Sequence, residues 1–259
     1  MVQSPANPWV FFPKKNTTAR VRLFCFPYAG GGVHIYYAWP ASLPAWVEVV
    51  AIQLPGRGAR MRDAPLTRVT QMAEALAVEM LPLLDKPFAF FGHSLGATIA
   101  FELMRVLRAA AQPLPGLFMP AGRQAPQLLD TDPPTYHLPK ADFILELARL
   151  NGTPQAVLDN HELMEIVLPA LRADFEAAET YEYQVQAPFS MPFVVFGGRQ
   201  DVDNHTDQAM AAWHLHTDAA FTSFGLPGDH FFIHSDETRL LELLTQTLTK
   251  AFNTTINTT

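Results

Sequence analysis

Short apolar runs rich in β-branched and aromatic residues alternate along this chain with longer stretches whose apolar positions recur every three or four residues. Residues 21–26 (VRLFCF), 47–54 (VEVVAIQL), 88–91 (FAFF), 117–120, 193–196 (FVVF) and 220–226 read as strands. The first and third are nearly continuous in apolar character, the pattern of strands covered on both faces. Between the runs, Met72, Leu76 and Met80 are spaced by four. Ile99, Leu103, Val106 and Leu107 share one helical face, and Leu240, Leu241, Leu244 and Leu248 do the same within 236–252. Strand–helix alternation predicts an α/β fold with a mostly parallel central sheet and helices on both faces.

One stretch breaks the rhythm. Residues 128–183 contain no convincing strand but hold two amphipathic segments, 141–150 and 161–181. The block is too long for a single crossover. It predicts an inserted helical lid over the C-terminal edge of the sheet, where open α/β sheets bind ligands. Residues 21–252 are then one domain, 1–20 an N-terminal extension, and the polar segment 253–259 a flexible tail.

Composition narrows the class. Hydrophobic residues make up 49% and charged residues 17%, which excludes a disordered chain. Cys25 is the only cysteine, so no intrachain disulfide forms; inside a strand it reads as a core filler. The net charge of −7, without a basic block, excludes a nucleic-acid binder. No apolar run approaches the roughly 20 residues of a membrane span, and the patch 9–12 is too short for a signal-peptide core of about 7–15 residues. A soluble cytoplasmic protein, outside any membrane, is expected. His214 and His216 flank Leu215 as a surface pair without a third ligand at metal spacing, so no metal is expected.

Gly92-His93-Ser94-Leu95-Gly96 lies between a strand and a helix, the context that gives G-x-S-x-G its meaning. A nucleophilic serine needs a sharp turn that lifts its hydroxyl above the sheet, and flanking glycines let neighbouring backbone pass. The helix that begins there favours a developing anion. His93 sits beside the nucleophile and reads as packing that points away. Directly after the first strand, Phe26-Pro-Tyr-Ala-Gly-Gly-Gly32 offers free backbone N–H groups. It lacks both the Gly-Lys-Ser/Thr of a P-loop and the spacing of a dinucleotide fingerprint. An oxyanion hole made by the Ala29 and Leu95 N–H groups is the better reading. An acid and a histidine should follow in that order. Asp201, on the glycine turn after strand 193–196, is the first choice and Asp203 the alternative. His230, in Gly228-Asp-His-Phe-Phe232, is the expected base, with His234 the fallback, while Asp229 reads as a loop or cap residue.

These residues fall in segments that together resemble the type II thioesterases, the stand-alone editing thioesterases of polyketide and nonribosomal peptide synthesis, related to the medium-chain fatty acyl thioesterase. The resemblance runs through Phe26-Pro-Tyr-Ala-Gly-Gly, Gln53-Leu-Pro-Gly-Arg57, Gly92-His-Ser-Leu-Gly96 and Leu150-Asn-Gly-Thr-Pro154. It continues through Leu168-Pro-Ala-Leu-Arg-Ala-Asp-Phe175, Gly197-Gly-Arg-Gln-Asp201 and Gly228-Asp-His-Phe-Phe232. Tyr28, Leu95 and Gly32 stand where the family often has histidine, methionine and serine. The resemblance implies the α/β-hydrolase fold, a Ser94–His230–Asp201 triad, the Ala29/Leu95 oxyanion hole and a monomer without cofactor. It also implies a substrate carried on the phosphopantetheine of an acyl or peptidyl carrier protein. Carrier proteins are usually acidic and so is this chain, so recognition must use local patches. Arg57, Arg60 and Arg62, on the loop after the second strand, are the expected carrier or phosphate contacts. A lipase or esterase, an acyltransferase and a silent interaction module are the competing readings.

Overall fold

The computed structural model describes residues 7–128, 130, 132–201 and 207–257. Their strands are β1 (Val10–Phe11), β2 (Val21–Phe26), β3 (Val47–Ile52), β4 (Phe88–His93), β5 (Leu117–Ala121), β6 (Phe193–Gly198) and β7 (Phe221–Leu226). They form one sheet in the order β1-β3-β2-β4-β5-β6-β7, parallel throughout except for β1. The helices are α1 (Trp39–Ser42), α2 (Val69–Glu79), α3 (Leu95–Ala109), α4 (Lys140–Arg149), α5 (Gln155–Leu158), α6 (His161–Glu179), α7 (Asp207–Ala211), α8 (Phe232–Ser235) and α9 (Glu237–Asn257).

The alternation of side chains along a strand separates two cores. Phe24, Phe26 and Phe90 face α2 and α3, packed with Met72, Leu76, Ile99 and Leu103. Leu23, Cys25 and Phe91 face the other way, onto Trp39 of α1 and Leu240, Leu244 and Leu248 of α9. Because β2 leads to β3 on one side while β4 lies on its other side, the strand order reverses between β2 and β4. The crevice beyond their C-terminal ends is where such sheets place ligands.

Helices α4, α5 and α6 intervene between β5 and β6, and Phe143, Leu147, Met164, Leu168 and Leu171 give them a small core of their own. Asn160 caps α6 by accepting from the Leu163 N–H at 3.0 Å.

Four sequence expectations change. From residue 7 on, the segment expected as an extension packs on the sheet: Trp9 is buried, and Val10 and Phe11 pair antiparallel with Ile52 and Ala51 of β3, covering that edge. The described part of the expected tail, residues 253–257, continues the last helix. Phe252 breaks the helical dihedrals (φ −114°, ψ 18°) while its ring is buried, yet the backbone stays helical through Asn257. β3 stops at Ile52 because the chain turns at Pro55-Gly56, with Gly56 at φ +81°. His214 and His216 are not a surface pair. His216 is buried among Phe101, Tyr183 and Trp213, with Nε2 against Gln127 Oε1, and only His214 is exposed.

Candidate active site

Ser94 ends the turn from β4 into α3 with φ +54° and ψ −120°, a strained backbone for a non-glycine residue. The glycines around it are required by contact. A Cβ on Gly96 would lie 2.2 Å from the Phe26 carbonyl oxygen, and one on Gly92 would lie 2.4 Å from that of Gly96. The elbow is therefore clamped between the end of β2 and the first turn of α3. The Ser94 N–H donates to the Ala121 carbonyl at 2.8 Å, fixing the elbow to β5 as well.

The loops after β6 and β7 are joined by main-chain bonds. The Arg199 N–H donates to Leu226 O (2.8 Å) and the Gln200 N–H to Gly228 O (2.9 Å). This pairing brings Asp201 Oδ2 to 2.7 Å from His230 Nδ1. Asp201 is buried, whereas His230 keeps 25% of its side chain exposed. A carboxylate accepts only, so Nδ1 carries the proton and Nε2 is left with its lone pair. Asp229 accepts from the Phe231 N–H at 2.8 Å and so holds the turn that presents His230.

Ser94, His230 and Asp201 line one cavity of about 1000 Å³, together with Ala29, Leu95 and Tyr28. Its roof comes from the inserted helices, including Leu147, Leu171 and Phe175. The Ala29 and Leu95 N–H groups find no acceptor among the described residues. The rest of the glycine loop is tied down: the Gly31 N–H donates to Tyr28 O at 2.8 Å, and the Gly30 N–H donates to Asp174 Oδ2 at 2.7 Å.

A family model described as a thioesterase domain matches residues 21–248. The chain belongs to the thioesterase family. This thioesterase is 42% identical to the gramicidin S biosynthesis protein GrsT of Aneurinibacillus migulanus, over 95% of each chain. It is 36% identical to thioesterase PikA5 of Streptomyces venezuelae, over 87% of this chain and 80% of the other. A protein of Brevibacillus parabrevis named linear gramicidin dehydrogenase LgrE is 43% identical over 95% of this chain and 94% of its own. In the thioesterase described here, Ile35 stands where a G-x-G-x-x-G fingerprint starting at Gly30 would need its third glycine. Among solved structures, the type II thioesterase BorB from the borrelidin biosynthetic cluster superposes with a TM-score of 0.84 at 32% identity, covering 92% of this chain and 96% of that one. The fold is the α/β-hydrolase fold.

Three sequence expectations need correction in this thioesterase. Arg57 is no surface contact. It is buried, with Nη1 and Nη2 donating to Asp174 Oδ2 and Oδ1 at 2.5 and 2.7 Å. Arg60 is also engaged: it pairs with Asp63 at 2.7 Å and lies 3.9 Å above the Trp9 ring. Of the three arginines, Arg62 is the exposed one. His93 does not point away from the site, since its Nε2 bonds to the His230 carbonyl oxygen at 2.8 Å. Strand parity explains this: His93 follows Ala89 and Phe91 on the face that His230 packs against. Burial, and then the neighbouring His230, push the His93 pKa well below 6.5, so it is a neutral prop for the His230 backbone.

His234, the fallback base, bonds instead to the Tyr28 hydroxyl at 2.8 Å. Asp203 lies outside the described residues. Sequence reasoning gave no role to Asp174, although a signal existed: it is an acid in the apolar stripe of α6 that includes Leu168, Leu171 and Phe175.

Proposed function

We propose that this thioesterase hydrolyses acyl chains from the phosphopantetheine thioester of acyl or peptidyl carrier proteins. It thereby removes aberrant or stalled acyl groups from a polyketide, nonribosomal peptide or fatty acid synthase, as a cytoplasmic monomer without metal or bound cofactor. The observation that carries this reading is the cavity beneath the inserted helices, lined by Ser94, the Asp201–His230 pair, and Ala29 and Leu95, whose N–H groups have no acceptor among the described residues. The names of GrsT, PikA5 and BorB support the biosynthetic setting.

In the proposed mechanism, His230 Nε2 takes the Ser94 proton as the oxygen attacks the thioester carbonyl. The carbonyl π electrons move onto oxygen, where the Ala29 and Leu95 N–H groups receive them. Collapse breaks the C–S bond, and His230 returns the proton to the departing sulfur. A thiol, with a pKa of about 8.5 if it resembles cysteine, needs less help than an alkoxide or amine. Water then attacks the acyl-serine with His230 again the base, and Ser94 recovers its proton. Asp201 holds the imidazole and stabilises its cation throughout. On the carrier side, Arg62 keeps the proposed role of a phosphate or carrier contact, whereas Arg57 and Arg60 no longer fit it.

The deciding experiment compares kcat/KM on an acyl-carrier thioester with that on a matched oxygen ester, with Ser94→Ala as control. Preference for the thioester by at least tenfold, and loss of turnover in Ser94→Ala, are expected. A preference for the oxygen ester would make the protein an esterase. Transfer to an added alcohol or amine in preference to water would make it an acyltransferase.

A further inference from the structure

The glycine loop after β2 is held from outside by two charged side chains. Asp174 on α6 is wholly buried and receives both Nη groups of Arg57. Its Oδ2 also accepts the Gly30 N–H at 2.7 Å, while Arg57 Nη1 donates to the Gly31 carbonyl at 3.3 Å. The Gly31 N–H to Tyr28 O bond, at 2.8 Å, closes a four-residue turn with Gly30 at φ +76°. That is the left-handed third position of a type II turn. The Tyr28 carbonyl and the Ala29 N–H belong to one planar peptide unit and point in opposite directions. The bond that closes the turn therefore also aims the Ala29 N–H.

Flipping the middle peptide, Ala29–Gly30, would leave the Ala29 N–H where it is, because the closing bond survives that flip; opening the turn would not. Asp174 on the Gly30 N–H and Arg57 on the Gly31 carbonyl hold the two residues at the closing end and so oppose opening. Gly30 is exposed, so without Asp174 its N–H would bond to water and the turn would open more easily. Leu171, one helical turn before Asp174, closes the remaining space: a Cβ on Gly30 would lie 2.4 Å from its Cδ2. Arg57 has a second task. An unpaired carboxylate one residue from Ala29 would repel an oxyanion forming there, and the two-pronged guanidinium contact neutralises it.

We propose that Asp174 and Arg57 are positioning residues for the oxyanion hole, acting through Gly30 and Gly31 to aim the Ala29 N–H, and that α6 thereby couples the inserted helices to catalysis. The inference rests on the proposed roles of Ser94 and Ala29.

The test uses a small acyl thioester, so that carrier binding plays no part. In the first double variant, Arg57→Met with Asp174→Leu, apolar volume replaces the ion pair. In the second, Arg57→Gln with Asp174→Asn, a neutral pair keeps an acceptor for the Gly30 N–H. The Met/Leu pair should lower kcat by about 30–300-fold, short of or near the 10²–10³ lost when an oxyanion donor is removed. KM should stay within about threefold, and a trifluoromethyl ketone, which forms an oxyanion on Ser94, should bind more weakly by a similar factor. The Gln/Asn pair should recover kcat to within about tenfold of the parent. A folded Met/Leu pair with kcat within about threefold of the parent, or with the loss in KM alone, overturns the proposal.

If that pair does not fold, amide exchange of the unaltered protein decides. Gly30 should be protected by more than about 100-fold despite its exposure, and an unprotected Gly30 overturns the proposal. Ser94→Ala separates the two readings. If it keeps turnover, the assignment of the nucleophile has failed; if it is inactive while the Met/Leu pair is fully active, only the positioning role has failed.

Discussion

Asp201 makes no contact with substrate in the mechanism proposed here, yet it decides which nitrogen of His230 can act. Its Oδ2, 2.7 Å from Nδ1, selects the tautomer with Nε2 free. Asp201→Asn keeps the volume but presents an amide that can donate, which favours the opposite tautomer. Steady-state kinetics should show kcat lower by about 10³–10⁴ with the fold unchanged by circular dichroism. A loss below about tenfold would mean that another acid orients His230. At this scale the residues on the main chain's own turns were legible in the sequence. Ser94, Asp201 and His230 each follow a strand, and strand ends in a parallel sheet meet at one edge. Arg57, Asp174 and His93 were not legible. Their partners lie 117, 117 and 137 residues away, and no local pattern encodes such pairings.

The inserted helices are anchored unequally. α6 is held at its C-terminal half by the Arg57–Asp174 pair and by Arg68 on Glu176 at 2.5 Å. By contrast, α4 buries only Phe143 and Leu147, and α5 buries no side chain. Local opening follows buried contact, so α4 and α5 should move over a fixed α6. Hydrogen exchange read by mass spectrometry should show peptides spanning 141–158 exchanging at least tenfold faster than those spanning 168–179. Equal protection would mean that the insertion moves as one body. The insertion itself was legible as a long strand-free block between two strands. Its unequal anchoring was not, because amphipathic periodicity shows that a helix has a buried face without showing what buries it. The same limit explains β1. Val10-Phe11 is too short to read as a strand, and only the open edge of β3 makes it one.

Across the whole molecule, two buried histidines tie stability to pH. His216, 5% exposed among aromatic rings, has its pKa lowered to about 4 by burial and then by Arg105 and His214. Burial and the nearby His230 lower His93 as well. In the unfolded chain both titrate near 6.5. Between pH 6.5 and 4 the unfolded state therefore binds more protons than the folded one, so stability must fall as the pH falls through that window. Above 6.5 neither histidine contributes a slope, and below about 4 the contribution of His216 is fully lost. For His216 the 2.5-unit gap sets a ceiling of about 3 kcal/mol. Carboxylates also respond to acid, so the comparison must be differential. His216→Phe keeps an aromatic ring among Phe101, Tyr183 and Trp213 and cannot take a proton. Thermal denaturation of both proteins at half-unit steps from pH 7.5 to 4 should show the parent losing Tm faster below 6.5, so that the parent-minus-variant difference falls steadily until about pH 4. Parallel curves would mean that His216 is protonated in the folded protein, and that its contact with Gln127 is made by the imidazolium.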